Sequence, residues 1–362
     1  MKKALLAVLC IATLQSFAQF DLPPSGGNPR ATISEEVGIT SITIKYSRPD
    51  VNGREGKIWG SVVTYGFSTQ SFITNKNTSP WRAGANENTI VTFEHDVKIE
   101  GKPLKAGSYG LHMAVWPDSV LLIFSNQISA WGSFYYQEKE DALRVTVKPV
   151  ALDKNVEWLK YEFIEQREKS CTIALEWEKL MIPFKVDVDV DNIVLARLRD
   201  QVESQGGFNN LNLTAAVNYC LNKNINLEEA LSWAQRAAGL KSYPTLRTLA
   251  TTYEKLNRIP EADSVMAEAL TFATVNQYTA YGRALIPQKR GDRSIDIMLQ
   301  AQKKFGDNFT TNNALMFAYS GKGDYKNAIG AGQKAMAQAP NDAAKKTLEG
   351  QIAKLKENKD IN

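Results

Sequence analysis

One short segment combines side chains that recognise polar ligands with small residues. It reads WRAGANE and places Trp81, Arg82, Asn86 and Glu87 within seven residues of a glycine-containing, non-helical stretch. Arginine offers a rigid fork of N–H donors, and tryptophan offers a flat apolar face, a combination suited to carboxylate or sugar recognition. These four side chains are therefore candidate ligand-binding residues for a small molecule or a glycan.

Two further residues join this candidate set, Arg54 and Tyr65. They lie in a stretch that also contains Trp59, and its aromatic side chains either pack in a core or line a pocket. Sharp turns are permitted there by four glycines, Gly53, Gly56, Gly60 and Gly66. The six candidates are Arg54, Tyr65, Trp81, Arg82, Asn86 and Glu87.

A purely structural role is the alternative interpretation of the same residues. In that case Arg82 and Glu87 bond to each other or to buried backbone groups, while Trp81 fills the core of the domain. Such an arrangement fixes an irregular loop without creating a binding site. Both interpretations remain open at the level of sequence.

Residues that would support catalysis are scarce. The chain has two histidines, His95 and His112, and it lacks a G-x-S-x-G elbow, an H-E-x-x-H motif, a Walker loop and a G-x-G-x-x-G turn. A carboxylate pair such as Glu87 with Asp141 would suit a glycosidase only if the fold brings the two together. We therefore expect no catalytic residue, no cofactor and no metal, with hydrolysis by the first domain as an alternative.

The first residues have the composition of an export signal. Lys2 and Lys3 precede an apolar run, and Ser16-Phe17-Ala18 provides a small-x-small cleavage pattern. We expect residues 1–18 to be a signal peptide cleaved near Ala18, residues 19–30 to be a linker, and the mature protein to be periplasmic or extracellular. No later stretch approaches the roughly 20 apolar residues that a membrane-spanning helix needs.

Length and charge limit the remaining classes. The 362 residues correspond to about two domains, and the formal net charge of +4 falls when the signal and its two lysines are removed. Neither half carries the dense positive charge that nucleic-acid binding requires, so nucleic acid is not an expected partner. Two cysteines follow the signal, Cys171 and Cys220; the patterns around them favour buried, unpaired thiols over a disulfide.

Hydrophobic periodicity changes near residue 190. Before it, apolar residues alternate with a period of two, as in Ile42, Ile44 and Tyr46, which is typical of half-buried strands. We therefore expect residues 31–190 to form an all-β, sandwich-like domain. Residues 191–207 are expected to be a helical connector, and the chain as a whole to be an α+β multidomain protein.

After the connector, helix-forming blocks repeat. Setting Ala230, Ala262, Ile295 and Ala328 in register gives spacings of 32 or 33 residues, with columns four and seven residues later that hold mostly small side chains. This pattern resembles the tetratricopeptide repeat, a helical hairpin of about 34 residues. The resemblance implies an all-α solenoid over residues 208–355, followed by a polar tail at 356–362. It also implies a protein or peptide partner held by the repeats.

The first domain carries a more specific resemblance, in a succession of unusual strings. They include SRP, GR, IWG, WRAGANE, AG-x-YGL, WG-x-x-YY and LRV. In this order they resemble the domain of unknown function 2911 family, found in exported proteins of Gram-negative bacteria. The chain departs from that pattern in the insertion-like string FSTQSFITNKNTS before Trp81. The resemblance implies a fold and a compartment and assigns no catalytic residue, so we expect a non-catalytic binding or scaffolding protein.

Overall fold

The computed structural model describes residues 27–69 and 78–362. The expected signal peptide, most of the expected linker and the middle of FSTQSFITNKNTS lie outside the described residues. The chain divides into two compact units between Arg197 and Leu198. Within the described ranges, no helix is both long and apolar enough to cross a membrane.

The N-terminal unit is built from antiparallel strands. A six-stranded sheet has the order β1-β2-β5-β8-β9-β10, a four-stranded sheet has the order β11-β12-β6-β7, and β3 pairs with β4. The strands are β1 Arg30–Val37, β2 Thr40–Ser47, β3 Ser68–Thr69, β4 Thr78–Ser79, β5 Thr89–Phe93, β6 Val97–Ile99, β7 Lys102–Leu104, β8 Gly107–Val115, β9 Val120–Ser125, β10 Asp141–Val147, β11 Val150–Arg167 and β12 Ser170–Val188.

One apolar core draws on both large sheets. The alternating residues Ile42, Ile44 and Tyr46 of β2 are buried, as their period predicts. Phe124 of β9 in the first sheet packs edge-on against Phe184 of β12 in the second, with ring centroids 6.1 Å apart. The pattern of β2 therefore identifies correctly which of its faces turns inward, whereas β8 is buried on both faces from Tyr109 to Val115.

The two longest strands, β11 and β12, are irregularly paired. The pairing of β11 with β12 shifts register beside Glu178, which has a left-handed φ of 52°. The Glu178 carboxylate is buried and accepts a hydrogen bond from the backbone N–H of Gly56. A loop that precedes the WRAGANE segment is thereby bonded to β12 at the residue next to Trp177.

The C-terminal part is helical. Its helices are α1 Val190–Glu203, α2 Asn210–Lys223, α3 Leu227–Ala237, α4 Tyr243–Lys255, α5 Ile259–Thr271, α6 Val275–Ala284, α7 Gly291–Phe305, α8 Phe309–Lys322, α9 Tyr325–Ala337 and α10 Asp342–Lys356. From α2 to α9 consecutive helices pack in pairs, and α10 packs on α9. The expected fold class, a sheet-rich region followed by a helical region, is confirmed.

Small buried residues mark the second helix of each pair, with one correction to the expected register. Ala230, Ala262 and Ala328 are buried as anticipated, but Ile295 is half-buried and its neighbour Ser294 is fully buried. The buried column of α7 is Ser294, Met298 and Ala301, which corresponds to Ala230, Ala234 and Ala237 of α3. The expected register of the third repeat is therefore wrong by one residue, because its buried position holds the polar Ser294 and the branched apolar Ile295 follows it.

Ser294 is tolerated there because its hydroxyl has a partner. Its Oγ donates to the backbone O of Gly282 in the preceding helix at 2.7 Å. A Cβ at Gly282 would approach Met298 Cε to 2.7 Å, so the two helices are in close contact at this point. Position 294 of α7 therefore requires a small residue. Serine can occupy it because its buried hydroxyl has a hydrogen-bond partner.

The two cysteines that follow the expected signal are both buried and free. Burial raises the pKa of Cys171 to about 12 and the pKa of Cys220 to about 11. Both side chains therefore stay in the thiol form at neutral pH and act as small apolar core residues.

Candidate functional site

Four of the six candidate residues, Arg54, Trp81, Arg82 and Asn86, line one cavity of the N-terminal unit. The cavity has a volume of about 600 Å³, within the range of small-molecule sites. The rest of its wall comes from Asn28, Pro49, Asp50, Asn52, Val62, Val63, Gly84, Ala85 and Trp177. Residues that are distant in sequence thus meet at one concave surface.

Strand β8 positions the WRAGANE segment. The backbone of Trp81 exchanges two hydrogen bonds of 2.8 Å with Met113 of β8. The Trp81 indole N–H donates to the carbonyl of Gly84 at 3.1 Å, which closes a tight local turn. Further along, Tyr161 of β11 donates its hydroxyl to the carbonyl of Ala83 at 2.8 Å. The segment has no regular secondary structure, but hydrogen bonds to β8 and to β11 hold it in place.

Three tryptophans pack together at the cavity. Trp81 stacks on Trp177 with an interplanar angle of 18°, and Trp59 meets both of them edge-on at centroid distances of 5.7 and 5.9 Å. Trp177 is 1% exposed. The indole N–H groups of Trp59 and Trp177 are buried and have no hydrogen-bond partner among the described residues. The cluster gives the cavity a rigid aromatic wall.

Arg82 is half-buried in the same wall. Its Nη1 donates to the carbonyl of Asn86 at 2.6 Å, and its guanidinium lies 4.5 Å from the ring centroid of Phe134. Gly132, with a left-handed φ of 59°, packs directly on the guanidinium and leaves no room for a Cβ there. Burial lowers the pKa of Arg82 below its usual value, although the group remains a cation at neutral pH.

Glu87 is not among the residues lining the cavity, and it does not bond to Arg82. Its carboxylate accepts hydrogen bonds from Arg30 and from the hydroxyl of Ser47. Burial acts to raise the pKa of Glu87, but the hydrogen bonds from Arg30, its own backbone and Ser47 hold it below its ordinary value. Of the structural alternative, the mutual pairing of Arg82 and Glu87 is therefore wrong, whereas the bonding of Arg82 to a backbone group is present at the Asn86 carbonyl.

The other candidates are placed as follows. Arg54 donates to the carbonyl oxygens of Val51 and Asp50 at 2.9 and 2.7 Å, and it lies 3.5 Å from the Asp50 carboxylate. Tyr65 is 45% exposed, packs on Gly60 and is not among the residues lining the cavity. Arg54 thus lines the cavity, but most of its hydrogen-bonding capacity on that side is used by neighbouring residues of the protein.

Trp177 is the main cavity residue that the sequence did not identify. Its alternation with Cys171, Ile173 and Leu175 predicts a core position. Trp177 is indeed buried, and it also lines the cavity. Asn52 and Asn86, which line the same cavity, have left-handed backbone, as does Ala83 next to Arg82. Such conformations in residues other than glycine are energetically unfavourable and concentrate at functional sites. Asparagine tolerates this conformation, so its recurrence was a weak available signal.

A separate buried polar cluster lies around His112 of β8. His112 is 2% exposed, its ring meets that of Tyr136 edge-on at 5.6 Å, and its Nδ1 has no partner among the described residues. Burial, reinforced by the charge of Arg82, lowers the pKa of His112 to about 4. Tyr136 donates its hydroxyl to Asp141 at 2.6 Å, and Arg144 donates to the same carboxylate oxygen at 2.6 Å.

The carboxylates considered as a hydrolytic pair belong to different networks. Glu87 bonds to Arg30 and Ser47, whereas Asp141 bonds to Tyr136 and Arg144. Burial raises the pKa of Asp141 despite these hydrogen bonds. Within the described residues, no hydrogen bond joins Glu87 to Asp141, and the two carboxylates share no bonding partner.

The helical unit exposes a row of apolar side chains. Phe208, Leu240 and Phe272 are 85%, 67% and 49% exposed. They are spaced by 32 residues, and each lies just before the first helix of a pair. The three side chains occupy equivalent positions before successive helix pairs and are here called the apolar row. Lys304 occupies the next equivalent position.

Comparison with known proteins gives one family and several remote structural matches. Residues 28–186 match the family described as Protein of unknown function (DUF2911). No curated protein matches the chain.

The solved structures that match share low identity with the chain. One is the APC/C hetero-tetramer Cut9-Hcn1, with 16% identity, a TM-score of 0.30, and coverage of 46% of this chain and 33% of the matched one. A second is YrrB, described as a TPR protein with an unusual peptide-binding site, with 16% identity, a TM-score of 0.29, and coverage of 44% and 84%. A third is TTC0263, a thermophilic TPR protein of Thermus thermophilus, with 17% identity, a TM-score of 0.30, and coverage of 46% and 90%.

The family match covers nearly all of the described N-terminal unit, from the residue pair before β1 to the end region of β12. The strings that suggested this family, from SRP to LRV, all lie inside it. Residues 28–186 thus match the family described as DUF2911, and helical hairpins that repeat every 32 to 34 residues follow them.

Proposed function

We propose that this chain is a non-catalytic binding protein whose helical repeats hold a protein or peptide partner. The observation that carries the proposal is the apolar row of Phe208, Leu240 and Phe272. Isolated exposed apolar residues are ordinary on protein surfaces, but contiguous ones mark interaction sites. Here three large side chains recur at the same place in successive repeats, which is a regular arrangement.

The surroundings of the apolar row suit a protein surface. The Arg236 guanidinium lies 5.8 Å from the Phe208 ring centroid, and Lys241, next to Leu240, pairs with Glu268. Interfaces typically combine an apolar centre with a rim of polar and charged groups. Because the row follows the repeat, a partner would contact several hairpins at once.

Replacing the apolar row should abolish partner capture without unfolding the repeats. We expect the triple variant Phe208→Ser, Leu240→Ser, Phe272→Ser to capture at least tenfold less of the partner protein from an envelope extract than the wild type does. Each substitution removes apolar contact area. Quantitative mass spectrometry of the captured protein measures this.

The matched control is Leu299→Ser, which removes a 43% exposed apolar side chain of α7 outside the row. It should capture as much partner as the wild type. Equal capture by the triple variant and the wild type would contradict the proposed role of the row.

A second function is favoured by the cavity. We propose that the DUF2911 domain binds a small molecule or a glycan between Trp81, Arg82 and Asn86, with Arg54 at the rim. A cavity of about 600 Å³ with an aromatic wall and an arginine supports this proposal. Binding should change the intrinsic fluorescence of the tryptophan cluster, and Trp81→Ala should reduce affinity while Trp131→Ala, at a 48% exposed position, should not.

We also propose that the protein is exported and works in the periplasm or outside the cell. The basic start, the apolar run and the Ser16-Phe17-Ala18 pattern support this. N-terminal sequencing of the protein purified from envelope or medium should begin at Gln19. Recovery of the protein from the cytosol with residues 1–18 intact would contradict export.

A further inference from the structure

Arg82 is a cation in the cavity wall that has no acidic partner among the described residues. Its one hydrogen bond to a described residue goes to the carbonyl of Asn86, and its flat face is covered by Phe134. A guanidinium carries five N–H donors, so the described residues use only a small part of its hydrogen-bonding capacity. Placing a charge in a partly buried position is costly unless an opposite charge compensates.

The other charged groups near the cavity are matched within the protein. Arg54 is bonded to two carbonyl oxygens and lies beside the Asp50 carboxylate. The Glu87 carboxylate, the nearest acid along the chain, is bonded to Arg30. The positive charge of Arg82 also acts on buried His112, whose neutral form supplies no compensation. Among the described residues, Arg82 is therefore the cation of the cavity wall whose positive charge is not balanced by a nearby carboxylate.

The rest of the wall specifies what should carry that charge. Trp81 is only half-buried, and it stacks on the fully buried Trp177 with ring centroids 6.1 Å apart. A rigid indole face favours a flat or ring-shaped ligand. A volume of about 600 Å³ holds a ligand of one or two rings.

We propose that the cavity binds a small organic acid in which a carboxylate is attached to a six-membered ring. The Arg82 fork binds the carboxylate, and the ring packs against Trp81. This inference rests on the proposed ligand-binding function of the DUF2911 domain and names its ligand class. A sugar acid and an aromatic acid share this chemistry, and the experiment below separates them.

The test compares acids with their neutral counterparts on the full mature chain. D-glucuronate is paired with D-glucose, and benzoate with benzamide, and binding is followed by tryptophan fluorescence and calorimetry. We expect one acid to bind at least tenfold more tightly than its neutral counterpart, since a bidentate charge-assisted pair forms only with the carboxylate. The pair that shows this preference identifies the ligand as a sugar acid or as an aromatic acid.

Variants assign the preference to Arg82. Arg82→Gln should reduce the affinity for the acid to that of the neutral counterpart, and Arg82→Lys, which keeps the charge but loses the fork, should give an intermediate value. The matched control, Arg167→Gln, removes an equal charge at an exposed position of β11 and should leave the acid preference unchanged. The wild-type comparison needs no variant, so it stands even if a variant fails to fold.

Each other outcome overturns part of the account. Equal binding of acids and neutral rings would overturn the inference and leave ligand binding by the cavity standing. An acid preference that survives in Arg82→Gln would remove Arg82 from the role given to it. Absence of binding by all four probes would overturn the inference together with the ligand-binding proposal on which it rests.

Discussion

Acidification from pH 7 to about pH 4 should destabilise the N-terminal unit by about 3 kcal/mol through His112 alone. Burial lowers the pKa of this histidine from an ordinary value of 6.5 to about 4. Between those two values the unfolded chain binds a proton that the folded chain does not. The stabilisation is therefore complete above about pH 6.5 and is lost progressively as the pH falls toward 4.

Urea titrations at several pH values, followed by tryptophan fluorescence, measure this effect. Six of the seven tryptophans lie in the N-terminal unit, so the signal reports mainly on it. His112→Gln keeps a neutral polar side chain and should flatten the pH dependence. Asp141, whose pKa is raised by burial, changes the stability in the opposite direction, so the difference between variant and wild type isolates the histidine.

The control is His95→Gln, at the other histidine, which lies in the turn after β5 and contacts Thr40. This variant keeps His112 and should retain the His112-dependent loss. If His112→Gln showed the same pH profile as the wild type, His112 would not be a buried neutral group in the folded protein.

Ser294→Leu should destabilise the helical unit by about 3 kcal/mol. The side chain is fully buried where α7 closely approaches Gly282, so leucine would overpack the contact. The substitution also removes the hydrogen bond to the Gly282 carbonyl and leaves that oxygen without this partner. Urea unfolding followed by far-UV circular dichroism measures the change in the free energy of unfolding.

The neighbouring position provides the control. Ile295 is half-buried, so Ile295→Leu, which conserves volume, should cost less than about 1.5 kcal/mol. The pair also decides between the two possible registers of the third repeat. If Ile295→Leu proved the more damaging change, the column of Ser294, Met298 and Ala301 would not be the buried one.

Periodicity allowed much of the fold to be predicted from the sequence. The alternation in Ile42, Ile44 and Tyr46 follows from a strand with one face on a core, and the recurrence of small residues follows from the close approach of paired helices. The third repeat was misaligned because a buried serine looks polar in sequence. Its partner, the Gly282 carbonyl, is visible only once the helices are packed.

The candidate site could be predicted only in part. The cluster of Trp81, Arg82 and Asn86 was recognisable because local spacing brings these residues together. The partner of Glu87 was not, because Arg30 lies 57 residues away and meets it across the fold. The contribution of Trp177 depends on β12 lying behind the segment, which no local pattern encodes. Pairings between distant segments are fixed by tertiary packing, which leaves no periodic signal in the sequence.

Site-specific crosslinking from the apolar row shows directly whether the helical repeats hold a protein partner there. A photoreactive amino acid is introduced in place of Leu240, Phe272 or, as the control, Leu299, and crosslinking is performed in intact cells. We expect positions 240 and 272 to crosslink to the same protein and position 299 not to crosslink to it. Crosslinking from position 299 alone, or no crosslink from 240 and 272, would contradict this expectation.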